Sequence, residues 1–287
     1  MESGLTLVAL PFALAVIMFG LGLDLTTGDF VRIARRPKPV AIALGCQLIL
    51  LPLACFGLVM LFALPPVLAV GMMLLAASPG GTVANLYSHL FRGDVALNIS
   101  LTAINSIIAV VTLPLVVNLS IAWFRPGGLQ LGLQFGKTVE VFLLVLGPVA
   151  AGMVVRAFKP GFARAMDKPV RIASVLILAG VIVGAAIANY DILLRVLGPL
   201  AGVTLSFCLI SLGIGYAMPR LLGIDRPQAI ASAFEVGIHN ATLAIVVAQS
   251  VLMRPDMALP AAVYGALMLP LAAAFGLVVS QRNAARS

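Results

Sequence analysis

One carboxylate sits where a carboxylate is expensive. Glu235 lies in the middle of an apolar run, in the segment Glu235-Val236-Gly237-Ile238-His239-Asn240, and the other acidic residues lie at the ends of such runs or between them. A charged side chain at the centre of a bilayer costs about 2.5–3.5 kcal/mol on insertion scales, and one that persists there usually marks an ion or substrate path. No Lys or Arg lies equally deep to neutralise it. Other polar residues also fall inside apolar runs: Gln47, Asn85, Asn98, Thr102 and Asn105. Singly, each reads as interhelical glue. Together with Glu235 they offer an oxygen-rich cage for a small hard cation, and no Cys/His set points to zinc or copper. His239 follows Glu235 by four residues, so the two could instead form an acid–base pair, in a proton-coupled carrier or an intramembrane enzyme. No nucleophile–base set or metal motif accompanies them, so the sequence does not point to an enzyme.

The elements that must hold these residues are membrane helices. Of 287 residues, 62% are hydrophobic and 10% charged, against roughly half apolar and a quarter charged in soluble domains. Nine apolar stretches run 5–25, 38–62, 66–90, 95–123, 136–157, 169–190, 194–219, 228–252 and 258–280, each close to the roughly 20 residues that span a bilayer. Pro and Gly beside charge mark the gaps as loops, at Arg35-Arg36-Pro37-Lys38-Pro39, Leu64-Pro65-Pro66, Arg92-Gly93-Asp94, Arg125-Pro126-Gly127-Gly128, Lys159-Pro160-Gly161, Asp225-Arg226-Pro227 and Arg254-Pro255-Asp256. The first stretch follows Glu2 rather than a basic segment and is long for a signal peptide, so it reads as a helix. Cys46, Cys55 and Cys208 lie in apolar runs and read as buried thiols.

Two stretches are interrupted at their centres. Ser78-Pro79-Gly80-Gly81-Thr82 breaks the one near 66–90, and the Glu235–Asn240 segment breaks the one near 228–252. Backbone groups freed at such depth survive only inside protein or beside a cavity. A pair of broken helices in matching places of two halves points to a transporter's binding site. The net charge of +8 does not suggest nucleic acid, because the basic residues occupy the gaps and form no patch interleaved with aromatics. With nine spans, the gaps on one side carry Arg32, Arg35, Arg36, Lys38, Arg92, Arg156, Lys159, Arg164, Lys168, Arg171, Arg220, Arg226, Arg282 and Arg286, and the other side only Arg125, Lys137, Arg195 and Arg254. The excess belongs on the cytoplasmic side, which places the N-terminus outside and the C-terminus inside.

These residues resemble the bile acid:sodium symporter family, which includes bacterial homologues of the apical sodium-dependent bile acid transporter. The resemblance covers nearly the whole chain and is carried by Met18-Phe19-Gly20-Leu21-Gly22-Leu23 with Arg35-Arg36-Pro37, Gln47 with Pro52, Ser78 to Asn85, Arg92 to Leu97, and Glu235 to Asn240. It implies an all-α integral membrane protein, a single transporter domain over 1–287 with nine transmembrane helices, an inverted repeat, discontinuous core and panel parts, and two broken helices that cross in the core. It implies symport of two sodium ions with an organic anion, in a cell membrane such as the bacterial inner membrane. No organic cofactor, nucleic acid or obligate protein partner is implied. Carried over by position, the first sodium is held by Asn85, Asn98, Thr102 and Glu235. The second is held by Gln47, Glu235, Val236, Ile238 and His239. Thr82 and Asn240 face the substrate. Ala84 stands where relatives often have Ser, Asn98 where Ser is common, and His239 where Gln is frequent. Met268 and Leu269 stand where some relatives carry a His-Asn pair, so a bile acid as substrate is not supported.

Overall fold

A chain this apolar becomes helical because a backbone in hydrocarbon must satisfy its own hydrogen bonds. The protein's structure is a computed structural model that describes residues 4–125 and 135–281. Glu2, Arg282, Arg286 and the Pro126-Gly127-Gly128 turn lie outside the described residues. Regular structure among the described residues is helical, apart from one isolated antiparallel bridge between Gly80 and His239.

Helix α1 spans Gly4–Asp24, α2 Thr27–Arg35 and α3 Pro37–Gly45, which continues through a π-helical turn, Cys46–Leu50, into α4, Leu51–Leu61. Helices α5, Pro66–Ala77, and α6, Thr82–Leu90, form the first interrupted stretch, followed by α7, Val95–Phe124. Then come α8, Phe135–Phe158, α9, Pro160–Ala188, and α10, Tyr190–Leu221. The second interrupted stretch consists of α11, Arg226–Gly237, and α12, Ala241–Val246, with a π-helical turn at Val247–Val251; α13, Leu259–Gln281, closes the fold. Among the described residues, five segments are long and apolar enough to cross a membrane: Pro37–Leu61, Val95–Phe124, Pro160–Ala188, Tyr190–Leu221 and Pro255–Ser280.

Three local readings of the sequence need correction. The segment 35–39 is no loop, because α2 ends at Arg35 and α3 begins at Pro37, leaving Arg36 alone between them. Likewise, only Lys159 separates α8 from α9. Both prolines take the first helical position, where a missing N–H costs nothing. Helix α9 therefore starts well before the apolar stretch that begins at 169. Helix α2 was not expected at all. Its start is one half of a capping box: the Thr26 N–H and hydroxyl both donate to Asp29 Oδ2, at 2.8 and 2.7 Å, while the Asp29 N–H bonds the Thr26 carbonyl.

The molecule exposes large apolar side chains and buries its polar ones within an apolar core. Large apolar side chains such as Leu53, Val111, Leu119 and Ile187 are exposed, while Gln47, Asn85, Asn98, Thr102, Asn105, Glu235 and His239 are buried. That pattern suits lipid as the surrounding solvent. Helix α1 packs on α8 and α9, whereas α10 packs on α11 and α13, and α5 on α7. The backbones of α1 and α8 touch where Gly22 faces Gly152, a close approach that only small residues permit. The three cysteines are buried and unpaired.

Candidate functional site

The two interruptions meet each other. Helix α5 stops at Ala77 and α6 restarts at Thr82; α11 stops at Gly237 and α12 restarts at Ala241. Four residues are missing from the first ladder and three from the second, so the freed backbone groups need other partners. In an unbroken helix the Asn240 N–H would bond to the Val236 carbonyl. Here it donates to the Pro79 carbonyl of the other break, at 2.8 Å. The Ala241 N–H turns back to the His239 carbonyl, at 2.9 Å. The Gly237 carbonyl is taken instead by the Tyr264 hydroxyl, at 2.8 Å. The Ser78 carbonyl accepts from Gln47 Nε2 at 3.1 Å. The π-helical turn in the helix that carries Gln47 points this amide at the break.

Glu235 lies at this meeting point. The Thr102 hydroxyl sits between the Asn98 carbonyl and Glu235 Oε2, and Asn105 Nδ2 donates to Glu235 Oε1 at 3.3 Å. Asn98, Thr102 and Asn105 follow at spacings of four and three along α7, so they share one helical face. No Lys or Arg among the described residues pairs with Glu235. Gly80 is glycine for a steric reason, since a Cβ there would overlap the Glu235 carboxylate. Asn98 uses its Nδ2 on the Ala231 carbonyl, at 2.7 Å, which leaves Oδ1 without a partner. Gln47 Oε1 and both amide atoms of Asn85 are also buried without partners. Buried polar atoms are nearly always paired, so these unpaired amide oxygens are free to accept from a donor or to bind a cation. No cluster of three or more His, Cys, Asp or Glu side chains suited to a metal occurs among the described residues. The donors here are amide, hydroxyl and carboxylate oxygens, which favour a hard ion.

Tyr264 has a role that its place in the sequence does not signal. Its hydroxyl gives its proton to the Gly237 carbonyl, so its oxygen accepts from His239 Nδ1, at 3.0 Å. This fixes the tautomer with hydrogen on Nδ1 and leaves the Nε2 lone pair buried and unpartnered. A single Tyr in an apolar run reads as core, and nothing in its spacing signals the contact. Asn105 was legible, because it continues the Asn98–Thr102 spacing.

Thr82 and Asn240 line one narrow cavity formed by the first turns of α6 and α12, with α1, α9 and Met268 closing it. Asn240 Oδ1 also caps α12 by accepting from the Leu243 N–H at 3.0 Å. Ser174 on α9 faces the same cavity, buried, with its hydroxyl unpartnered.

Residues 11–196 match the Sodium Bile acid symporter family. The chain belongs to that family. The uncharacterized sodium-dependent transporter YocS of Bacillus subtilis (strain 168) is 32% identical over 259 residues, which cover 88% of this chain and 76% of YocS. The probable sodium/metabolite cotransporter BASS1, chloroplastic, of Arabidopsis thaliana is 31% identical over 259 residues, covering 87% of this chain and 61% of that relative. The human ileal sodium/bile acid cotransporter is 26% identical over 249 residues, covering 84% of this chain and 68% of its own. The protein is therefore a multi-pass membrane transporter of the sodium bile acid symporter family, and neither the family nor these relatives are enzymes by name.

Proposed function

We propose that the protein is a sodium-coupled symporter of a small organic anion, most simply a carboxylate, and that it crosses the membrane nine times with its N-terminus outside and its C-terminus in the cytoplasm. One observation carries the reading: Glu235 is buried at the junction of two broken helices, held by Thr102 and Asn105 and without a cationic side chain among the described residues. Sodium supplies the missing charge. In this proposal the first ion takes Asn85, Asn98, Thr102 and Glu235. The second takes Gln47, Glu235, His239 and the backbone at Val236 and Ile238. The break supports the second set, because the Val236 carbonyl has lost its helical donor to Pro79.

Coupling then follows from electrostatics. The ions cancel the Glu235 charge and tie α7 and the α3–α4 helix to the α11 break. That fixes the first turns of α6 and α12, whose dipoles present partial positive charge to an anion held by Thr82 and Asn240. Anion affinity rises when sodium is bound, and sodium affinity rises by the same factor when the anion is bound. Alternating access is motion of the α1–α8–α9 panel against the remaining core, with one broken core helix contributed by each of two inverted halves of the chain. Bile acid is in the names of the family and of the human relative, whereas Met268 and the narrow cavity favour a smaller cargo here.

The test is uptake by proteoliposomes under an imposed gradient, with a thermal-shift screen of small carboxylates beforehand. The expected result is stabilisation by an anion in sodium and not in choline, followed by accumulation driven by sodium. Accumulation driven by a proton gradient in sodium-free buffer would instead favour the carrier in which Glu235 and His239 move protons.

A further inference from the structure

A second cavity, of about 470 Å³, shares only Asn85 with the assignments above. Its wall includes Asp24, Asn85, His89, Ile99, Arg156 and Arg164. Two guanidinium groups thus face one carboxylate across the same space. Arg156 is half-buried and donates to the Leu23 carbonyl at the end of α1, at 3.2 Å, which holds it at the wall. Arg164, on the first turns of α9, has no hydrogen bond or ion pair among the described residues.

The cavity connects to both halves of the central site. Asn85, with its two unpartnered amide atoms, lines it directly. A smaller cavity lined by Thr82, Ser174 and Asp24 lies between it and the chamber at the first turns of α6 and α12, which Thr82 and Ser174 also line. A row of polar side chains therefore runs from the chamber past Ser174 and Asp24 to the two arginines. Arginines spread over a flat cytoplasmic face would satisfy the charge rule for topology. Placing two of them in the wall of one concave space, against the single carboxylate of Asp24, does more, because a cleft with an excess of one sign focuses its field and concentrates the opposite ion.

We propose that this vestibule is a separate binding site for a small carboxylate anion, with Arg156 and Arg164 as its ligands, and that cargo pauses there between the central chamber and the aqueous phase. A planar guanidinium matches a carboxylate with two parallel hydrogen bonds, and the volume suits an anion of a few carbons. The cargo's identity rests on the transport reading, whereas the positive field of the vestibule does not.

The experiment places Ile99→Cys in the purified protein and compares its rates of modification by a negatively charged and a positively charged methanethiosulfonate. Cys46, Cys55 and Cys208 are buried, and the protein without Ile99→Cys sets the background. The ratio of negative to positive reagent rates should fall by about tenfold in the Arg156→Gln/Arg164→Gln pair and about threefold with Arg164→Gln alone. Lys38→Gln, an exposed charge that does not line this cavity, should leave the ratio unchanged. Pyruvate should slow modification in sodium-free buffer, and the protection should disappear in the arginine variants. Arg164 is exposed and without a partner among the described residues, so Arg164→Gln tests the field even if the double variant does not fold. An unchanged ratio in Arg164→Gln overturns the proposal. So does protection that needs sodium, which would place the anion in the central chamber and leave the symport reading intact.

Discussion

Replacing Glu235 by Gln should have opposite effects on the protein with and without sodium. The carboxylate is buried, and its partners are the Thr102 hydroxyl and the Asn105 amide. Gln has nearly the same shape. Its carbonyl can accept from Thr102, and Asn105 can rotate its amide to offer an oxygen to the new NH2. Without sodium the variant should therefore be as stable as the parent or more so, because a charge that costs about 2.5–3.5 kcal/mol on insertion scales has been removed. With sodium the order reverses. At an effective dielectric of about 20, unit charges about 4 Å apart attract by about 4 kcal/mol. Losing that for one ion weakens binding by about a thousandfold, since 1.4 kcal/mol is about tenfold. At a sodium concentration about 100 times its dissociation constant, the parent gains about 2.7 kcal/mol of stability, and the variant should gain none that can be measured. The assay is thermal unfolding in detergent over a sodium titration at constant ionic strength, with choline as the replacement, alongside sodium-driven uptake. A variant that keeps the parent's sodium-dependent rise in melting temperature would remove Glu235 from the ion sites and refute the electrostatic argument.

Three further outcomes are expected. Gly80→Ala should push the Glu235 carboxylate aside and lower stability by about 1–3 kcal/mol, the range for overpacking a dense interior, with a matching loss of the sodium-induced thermal shift. Tyr264→Phe leaves the Gly237 carbonyl and His239 Nδ1 without partners, so it should cost about 1–3 kcal/mol for each group left unsatisfied, read as a lower melting temperature in sodium-free buffer. A reporter fused after Ser287 should read cytoplasmic and a tag before Glu2 external; both on one side would refute the odd number of spans.

The breaks were legible because they violate their surroundings. Pro79 with two glycines, and a carboxylate beside Gly237, cannot continue an apolar helix, and the structure interrupts both helices there. That the breaks would bond to each other was not legible, since period and composition carry no information about which distant segment supplies a backbone donor. The π-helical turn at Cys46–Leu50 was hidden for a similar reason: it redirects Gln47 by one extra residue in the turn, and no residue type signals that. Helix α2 has no long apolar run to mark it, and its sequence signal is the capping-box spacing of Thr26 and Asp29. The prolines at 37 and 160 were read as loop markers when their position also fits the first turn of a helix. The polar residues of the site were legible as a set, because amides inside lipid-length helices are rare enough to notice.

The bond from the Asn240 N–H to the Pro79 carbonyl also bears on how the protein is made. Its donor is synthesised roughly 160 residues after its acceptor, which at about 5–20 residues per second is a delay of roughly 10–30 s. During that interval the α5–α6 break has entered the membrane, or waits beside it, with the Pro79 carbonyl facing no partner. Water, lipid headgroups or the insertion machinery must cover it until α11 and α12 arrive. A chain truncated before α11 keeps most of its apolar sequence and still lacks the groups that close this break. Such a fragment should be a substrate for membrane quality control rather than a smaller stable protein.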